Sequence, residues 1–425
     1  LKVLTRYRIG PFKIGGDPML ASYLLSQDHD RHDLLSLAHK YLGLLPTAIN
    51  PNLKAHIAWH LEKLLVKKLE QALLNSLYVS LELPLEEVLG RMEMRGVLID
   101  VSKLKELDQE LNARLSALEQ QAFDLAGTKF NLASPKQVAD ILFNRLALPM
   151  VKKTKTGSST DSMVLEKLAF SHPLAKVLLE HRMCAKLIST YVTTLPTLIN
   201  KDTGRIHTNY NQFVTATGRL SSSDPNLQNI PIRTVEGRRC RDAFVAKPGF
   251  LIISLDYSQV ELRLLAFASQ DPVLLDSFAK DQDVHRRTAS EIFDIRPEDV
   301  SKEQRNIAKT INFGLLYGMG AQRLAQSLNI PRAQAQSYLE KYFAKYSGIM
   351  RWKQEVLDLA KKKGEVRTFF GRLRKLPELM SQNAMERARG ERLAINTPIQ
   401  GTAADIIKKA MIDGERFLNE NYPLS

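Results

Sequence analysis

Residues Ser301 to Gly320 read SKEQRNIAKTINFGLLYGMG, and this stretch decides what kind of chain the sequence describes. Ser301 stands three residues before Gln304, the spacing of a capping box, in which the hydroxyl accepts from an orphan backbone N–H and the Gln side chain reaches back. Gly318 and Gly320 supply the residue type that leaves a helix through the left-handed region. The helix so bounded carries Arg305, Lys309, Phe313 and Tyr317 at intervals of four, in a gently drifting stripe about 18 Å long. Two cations occupy its first half and two aromatic rings its second. That order suits a nucleoside triphosphate laid along the helix, with phosphates beside Arg305 and Lys309 toward the positive N-terminal end and a base against the rings. A solvated basic face followed by two core aromatics has the same pattern, so other stretches must decide.

The totals narrow the choice. A chain of 425 residues has room for about three domains and a sizeable core. Its 44% hydrophobic and 25% charged residues are those of an ordinary soluble protein. A net charge of +14 points to a polyanionic partner, nucleic acid or an anionic membrane surface. No run of about 18 apolar residues is present, so a membrane span is not expected. Cys184 and Cys240 stand without a CxxC or Cys/His cluster. That argues against a structural zinc or a disulfide framework and fits a reducing compartment. No signal or transit peptide is recognisable, and the first residue is Leu1 rather than Met, as in a fragment or a processed chain.

The texture changes along the chain. Residues 1 to about 80 mix short apolar runs, turn signals and helical periodicity through Leu53 to Leu77, which predicts a small α/β unit. Helices are expected over Glu86 to Glu93, Val101 to Leu125, Pro135 to Leu146 and Leu165 to Thr194. Between them lies a polar basic loop, Lys152 to Thr160, suited either to following a phosphate backbone or to a solvated connector. From about 205 to 260 strands and turns dominate. Thr215 to Ser222 and Asn226 to Arg233 place Asn, Gln and Arg side chains on irregular backbone. Phe250 to Leu255 is expected as a buried strand delivering Asp256 at its end. Residues 262 to about 385 are mostly helical, with a turn-rich basic interruption from Gly364 to Pro377 that holds Arg367, Arg372, Arg374 and Lys375. Glu391 to Leu418 is again helical, with Asn396 and Gln400 four apart on one face.

A carboxylate at a strand end, followed by Tyr257-Ser258-Gln259 and a helix near Glu261, can present oxygen to a metal. Asp256 could equally cap that helix. Phosphoryl transfer needs magnesium on the phosphate oxygens and cations around the leaving group, and Asp256 with Arg305 and Lys309 would supply both. No Walker A pattern occurs, which disfavours a P-loop enzyme.

Taken together, Asp256-Tyr257-Ser258-Gln259-Val260-Glu261-Leu262-Arg263 resembles motif A of the family A DNA polymerases. Arg305, Lys309, Phe313, Tyr317 and Gly318 resemble its motif B. TATGRLSS, DPNLQNIP and Gln400 to Asp405 resemble further segments, in order, from about residue 84 onward. The resemblance implies a mixed α+β fold of right-hand polymerase architecture. Residues 1–82 would be a partial 3′-5′ exonuclease-like α/β domain, 83–203 a helical thumb, 204–261 the first part of an α/β palm, 262–385 helical fingers and 386–425 the second part of the palm. It implies template-directed addition of dNTPs to a primer 3′ end by two-metal phosphoryl transfer, in DNA replication and repair. The partners would be primer–template DNA and dNTPs, the protein monomeric, cytoplasmic and free of membrane.

Site roles follow from the same resemblance. Asp256 would hold two Mg2+ ions with the Tyr257 carbonyl as a further ligand. Arg305 and Lys309 would grip the triphosphate, Lys309 also protonating the pyrophosphate leaving group. His285 would contact the phosphates, Phe313 the sugar and base, and Tyr317 the entering template base. Gln259 would join the nucleotide-binding set, and Glu261, tied to Tyr317, would block a ribose 2′-hydroxyl. Lys186, Arg219, Asn226, Gln228, Asn229, Arg233, Asn396 and Gln400 would contact primer–template, reading pair geometry through minor-groove acceptors that are similar for every pair.

Two departures matter. The family's third motif, a His-Asp-Glu run that brings the second metal carboxylate, does not occur before Ser425, so this stretch is expected to bind DNA and dNTP while catalysing poorly. A non-catalytic nucleic-acid-binding module is the alternative. In the exonuclease-like part Asp17 falls where one metal carboxylate belongs, but His56 and His60 replace the later Tyr-x-x-x-Asp pair. They are expected to be ordinary helix residues, and proofreading is expected to be absent.

Overall fold

The computed structural model describes residues 14–27, 31–45, 50–150, 153–154, 157–232, 234–316 and 318–422. Helices dominate and the strands are few and short, as the expected mixed α+β class requires. The chain forms two compact units, one of Leu1–Met92, Tyr210–Ser221 and Leu255–Ser425, the other of Glu93–Asn209 and Ser222–Ser254.

The second unit is organised on the helix Val101–Ala126. Asp100 caps it by accepting from Ser102 and Lys103 backbone N–H groups, and Gly127, at φ 65°, ends it. Leu104, Leu107, Leu111, Leu118 and Ala122 recur at helical spacing and are buried. They join Leu174, Val177, Leu178 and Cys184 of Pro173–Leu187 in one core. Each such leucine removed from water contributes about 2 kcal/mol. The expected helix Leu165 to Thr194 is in fact divided, Ser162–Leu168 and then Pro173–Leu187. Pro173 starts a new helix with His172 as its cap, since the residue before a proline is pushed out of helical geometry. Leu98–Ile99 pairs antiparallel with Phe244–Val245. A helix not foreseen, Val235–Asp242, opens on the Thr234 side chain. Within the basic loop, Lys153–Thr154 pairs with Gly157–Ser158, while residues 151–152 and 155–156 lie outside the described residues.

The strand expected at Phe250 to Leu255 is not formed. Leu251 is 89% and Leu255 92% exposed, and no described strand pairs with the run. An apolar run becomes a buried strand only when neighbouring strands cover its faces and take its backbone groups, and no described strand does so here.

In the first unit, the described part of residues 14 to 82 is helical and contains no strand, unlike the α/β unit expected there. Ile57, Leu61, Leu65 and Leu69 line one face of Pro51–Gln71 and pack with Leu20, Leu24 and Leu37. Asp17 is the N-cap of Pro18–Leu25, accepting from Met19 and Leu20. His56 and His60 are exposed, their Nε2 atoms 3.1 Å apart on one helix face. Among the described residues no group of three or more His, Cys, Asp and Glu could hold a metal.

The remainder of this unit is a succession of helices from Val260–Ser269 to Ser347–Lys363, the hairpin Glu365–Arg367 with Leu373–Lys375, and the helix Ala384–Asn421. That last helix runs through Pro398. The hairpin is the basic interruption noted in the sequence, yet Arg372 is 1% exposed. Its Nε and Nη2 donate to Asp405 Oδ1 at 2.9 and 2.6 Å, and Nη2 also to Glu82. Lys408 Nζ reaches Glu82 Oε1 at 2.7 Å, Gln212 Nε2 donates to Glu82 Oε2 at 2.7 Å, and Thr368 Oγ1 donates to Asp405 Oδ2 at 2.9 Å. Burial alone would raise the Glu82 carboxyl, but Arg372 and Lys408 overcome it and hold it at about 2. No described helix is long and apolar enough to cross a membrane.

Candidate nucleotide and nucleic-acid site

The helix that opened the sequence reading spans Lys302–Leu316. Its capping box is present: Ser301 N–H donates to Gln304 Oε1 at 2.9 Å, and Gln304 N–H to Ser301 Oγ at 3.1 Å. At the far end Met319 N–H returns to Gly314 O at 2.8 Å over Gly318, whose φ is 64°. A Cβ on Gly318 would lie 2.7 Å from Arg392 Cγ, so only glycine fits this exit. Ala308, Ile311 and Asn312 are buried on the inner face, leaving Arg305, Lys309 and Phe313 on the outer one. Tyr317, the fourth member of the stripe, lies outside the described residues.

Three of the expected residues meet a fourth on the neighbouring helix Val284–Phe293. Asp283 caps that helix, accepting from His285 and Arg286 backbone N–H groups at 3.0 and 3.1 Å. Its other oxygen accepts from Arg305 Nε at 2.7 Å, which aims the guanidinium. Burial would raise the Asp283 carboxyl, but these hydrogen bonds and the Arg305 charge leave it below its ordinary value. The His285 ring is 3% exposed and lies 5.5 Å from the Phe313 ring, tilted 46° to it. Burial, with Arg305 and Lys309 against only Asp283, pushes its pKa down to about 4. The ring is therefore neutral at pH 7. Lys309 is exposed and makes no hydrogen bond or ion pair among the described residues, which leaves its ammonium free for a ligand.

Asp256 is exposed, as is Tyr257, and Gln259 rather than Asp256 stands at the N-cap position of the helix Val260–Ser269, without a side-chain cap. Gln259 takes the left-handed conformation, φ 52°, and its Oε1 is buried without a partner among the described residues. The capping alternative for Asp256 is thus removed. Glu261 is buried, 9% exposed, and its carboxylate accepts from Arg219 Nη2. Sequence reasoning placed Arg219 on DNA and tied Glu261 to Tyr317, and it missed this ion pair. Asn396 and Gln400 share one face of Ala384–Asn421, and Asn396 Oδ1 is buried with no described partner. Gly401 lets this helix approach closely, for a Cβ there would sit 2.5 Å from Thr368 Cγ2.

The remaining expected DNA contacts belong to the second unit. Lys186 and Asn229 are exposed. Asn226 Oδ1 accepts from Gln228 N–H at 3.0 Å, so this side chain shapes its own turn. Arg233 lies outside the described residues.

Comparison with known proteins places these features in a lineage. A family model described as DNA polymerase family A matches residues 101–424. DNA polymerase I of Pseudomonas aeruginosa is 46% identical over 95% of this chain and 47% of its own length. DNA polymerase I of Geobacillus stearothermophilus is 43% identical over 97% of this chain and 48% of its own. The chain thus spans about half the length of these relatives. Among solved structures, the POL domain of Pol1 from M. smegmatis, in complex with DNA primer–template and dNTP, superposes with a TM-score of 0.90 at 40% identity, covering 95% of this chain and 72% of that one. With the family matched over most of its length and the motif residues on one helix face, the chain belongs to DNA polymerase family A.

Proposed function

We propose that this chain binds primer–template DNA and a dNTP and belongs to an enzyme that extends the primer 3′ end under direction of the template. The observation that carries this is the joint placement of Arg305, Lys309, His285 and Phe313. Two cations, a neutral imidazole and an aromatic face lie along two packed helices, matching the order of phosphates, sugar and base in a nucleotide.

In this reading Arg305, held by Asp283, and Lys309 bind the triphosphate, and Lys309 Nζ–H protonates the oxygen of the departing pyrophosphate. Phe313 packs on the sugar and base, and Tyr317 meets the template base. Glu261 closes the space a ribose 2′-hydroxyl would need, with Gln259 beside it. Arg219, Asn396 and Gln400, with Lys186, Asn226, Gln228, Asn229 and Arg233, contact the primer–template. The Asp256 carboxylate and the Tyr257 carbonyl are hard oxygen donors suited to Mg2+, exposed and uncommitted to other contacts. Mg2+ bound there would neutralise charge on the transferring phosphate. These two donors are a partial ligand set. Cytoplasmic, monomeric action on chromosomal DNA completes the proposal.

Fluorescence anisotropy with a labelled primer–template, followed by primer extension with the four dNTPs, tests it. Duplex binding that weakens steeply with salt, tighter with the templated dNTP than with the other three, is expected. Absence of duplex binding refutes the proposal. Binding without extension, even when the chain is joined to the remainder of the protein, favours a non-catalytic binding module.

A further inference from the structure

Behind His285 lies a closed polar network that the roles above do not use. Asn312 Nδ2 stands 3.1 Å from His285 Nδ1 and 3.0 Å from Thr288 Oγ1. Thr288 Oγ1 stands 3.3 Å from Asn312 Oδ1 and 3.0 Å from the Tyr346 hydroxyl. Asn312, Thr288 and Tyr346 are each 0% exposed. The Tyr342 ring lies 4.5 Å from that of Tyr346, tilted 37° to it. Water is excluded, so these groups have only one another to satisfy.

We propose that Asn312 is a positioning residue for nucleotide binding: its side-chain amide holds His285 as the neutral tautomer that carries its proton on Nε2, and Nε2–H donates to the triphosphate. The inference rests on the reading above, in which His285 faces the phosphates.

The amide orientation follows from its distances. With Nδ2 toward the ring, its two N–H groups find His285 Nδ1 at 3.1 Å and Thr288 Oγ1 at 3.0 Å. Tyr346 O–H then donates to the remaining lone pair of Thr288 Oγ1 at 3.0 Å. Turned over, the amide would place its nitrogen 3.3 Å rather than 3.0 Å from Thr288 Oγ1, and its oxygen against Nδ1 would demand a proton on that ring nitrogen. A neutral imidazole has one donor and one acceptor, so an Nδ1 that accepts leaves the proton on Nε2. The opposite tautomer would turn a lone pair on the phosphates and repel them. The Phe313 ring beside His285 hinders rotation to any other pose.

The experiment uses the full chain labelled with 15N-histidine, the His285 signals being assigned by their loss in His285→Gln. At pH 7 the two-bond nitrogen–proton spectrum should show an unprotonated Nδ1 and a protonated Nε2, and a dNTP with primer–template should shift Nε2. Asn312→Asp, nearly isosteric, offers only acceptors and should place a proton on Nδ1. Asn312→Ala should weaken dNTP binding about tenfold while duplex affinity stays. A protonated Nδ1 in the unsubstituted chain, an Asn312→Asp spectrum that does not change, or an unchanged dNTP affinity in Asn312→Ala each overturns the proposal. If Asn312→Ala does not fold, the Asn312→Asp spectrum decides. An Nε2–H tautomer in a chain that binds duplex but no dNTP overturns the positioning role and the proposed function together. A dNTP that binds without moving Nε2 overturns the positioning role alone.

Discussion

Replacing Arg372 with Met should destabilise the first unit by about 4 kcal/mol, within the 3–5 kcal/mol typical of removing one partner from a buried ion pair. Arg372 and Lys408 balance Glu82 and Asp405, all four 1% exposed or less. Without Arg372 the cluster carries a net charge of −1 that water cannot reach. Two hydrogen bonds to Asp405, at 2.9 and 2.6 Å, and one to Glu82 are lost. The same contact shows in Glu82, whose carboxyl Arg372 and Lys408 hold at about 2 instead of the ordinary 4.5. That depression stabilises the fold above pH 4.5 and is lost as pH falls through 2, while burial raises the Asp405 carboxyl beside it. Both tryptophans, Trp59 and Trp352, lie in this unit, so urea unfolding followed by their fluorescence reports its stability. Arg372→Met combined with Asp405→Asn restores neutrality, with Lys408 opposite Glu82, and should be at least about 1 kcal/mol less damaging than the two single costs summed. A single-variant loss below about 1 kcal/mol, or strict additivity, would refute the argument that charge balance holds this core.

The other expectations are briefer. His285 has a folded pKa of about 4 against the ordinary 6.5, so folding loses about 3 kcal/mol of stability as pH falls from 6.5 to 4. His285→Gln should flatten the unfolding free energy across that window, and an unaltered slope would show that the ring titrates normally. Asp283→Ala removes a helix cap and the anchor of Arg305; a loss of about 1 kcal/mol in unfolding free energy, with weaker dNTP binding, is expected, and an unchanged dNTP affinity would separate Arg305 from the phosphates. Glu261→Ala should relax discrimination against ribonucleotides in primer extension by the intact enzyme, and it also frees Arg219 from its ion pair; unchanged discrimination would remove Glu261 from that role.

Much of the candidate site was legible because its signals are local. A capping box, a repeat of four and a glycine exit all lie within twenty residues, and each is a statement about one helix whose geometry is known in advance. Packing is not local. The Phe250 to Leu255 run has the composition of a buried strand, but composition says only that such a run would accept cover, and whether cover exists depends on residues elsewhere. The same limit hid the partner of Arg219, and it hid Asn312, which in sequence is one more polar residue on an amphipathic helix.

Arg372 shows where the limit can be moved. In a basic, turn-rich stretch an arginine reads as a surface residue, and its partners Glu82 and Asp405 lie 290 and 33 residues away in sequence. The carboxylates were the better signal. Asp405 follows Gly401-Thr402-Ala403-Ala404 and precedes Ile406-Ile407, and Glu82 sits between Leu81 and Leu83. Small and apolar neighbours on both sides leave such a carboxylate little solvent face of its own. A charge that cannot reach water must find an opposite charge inside the fold or be neutralised by a proton. Two such carboxylates in one chain are therefore a reason to look for interior cations, and the search should include any arginine in a short hairpin, however exposed its neighbours make it look.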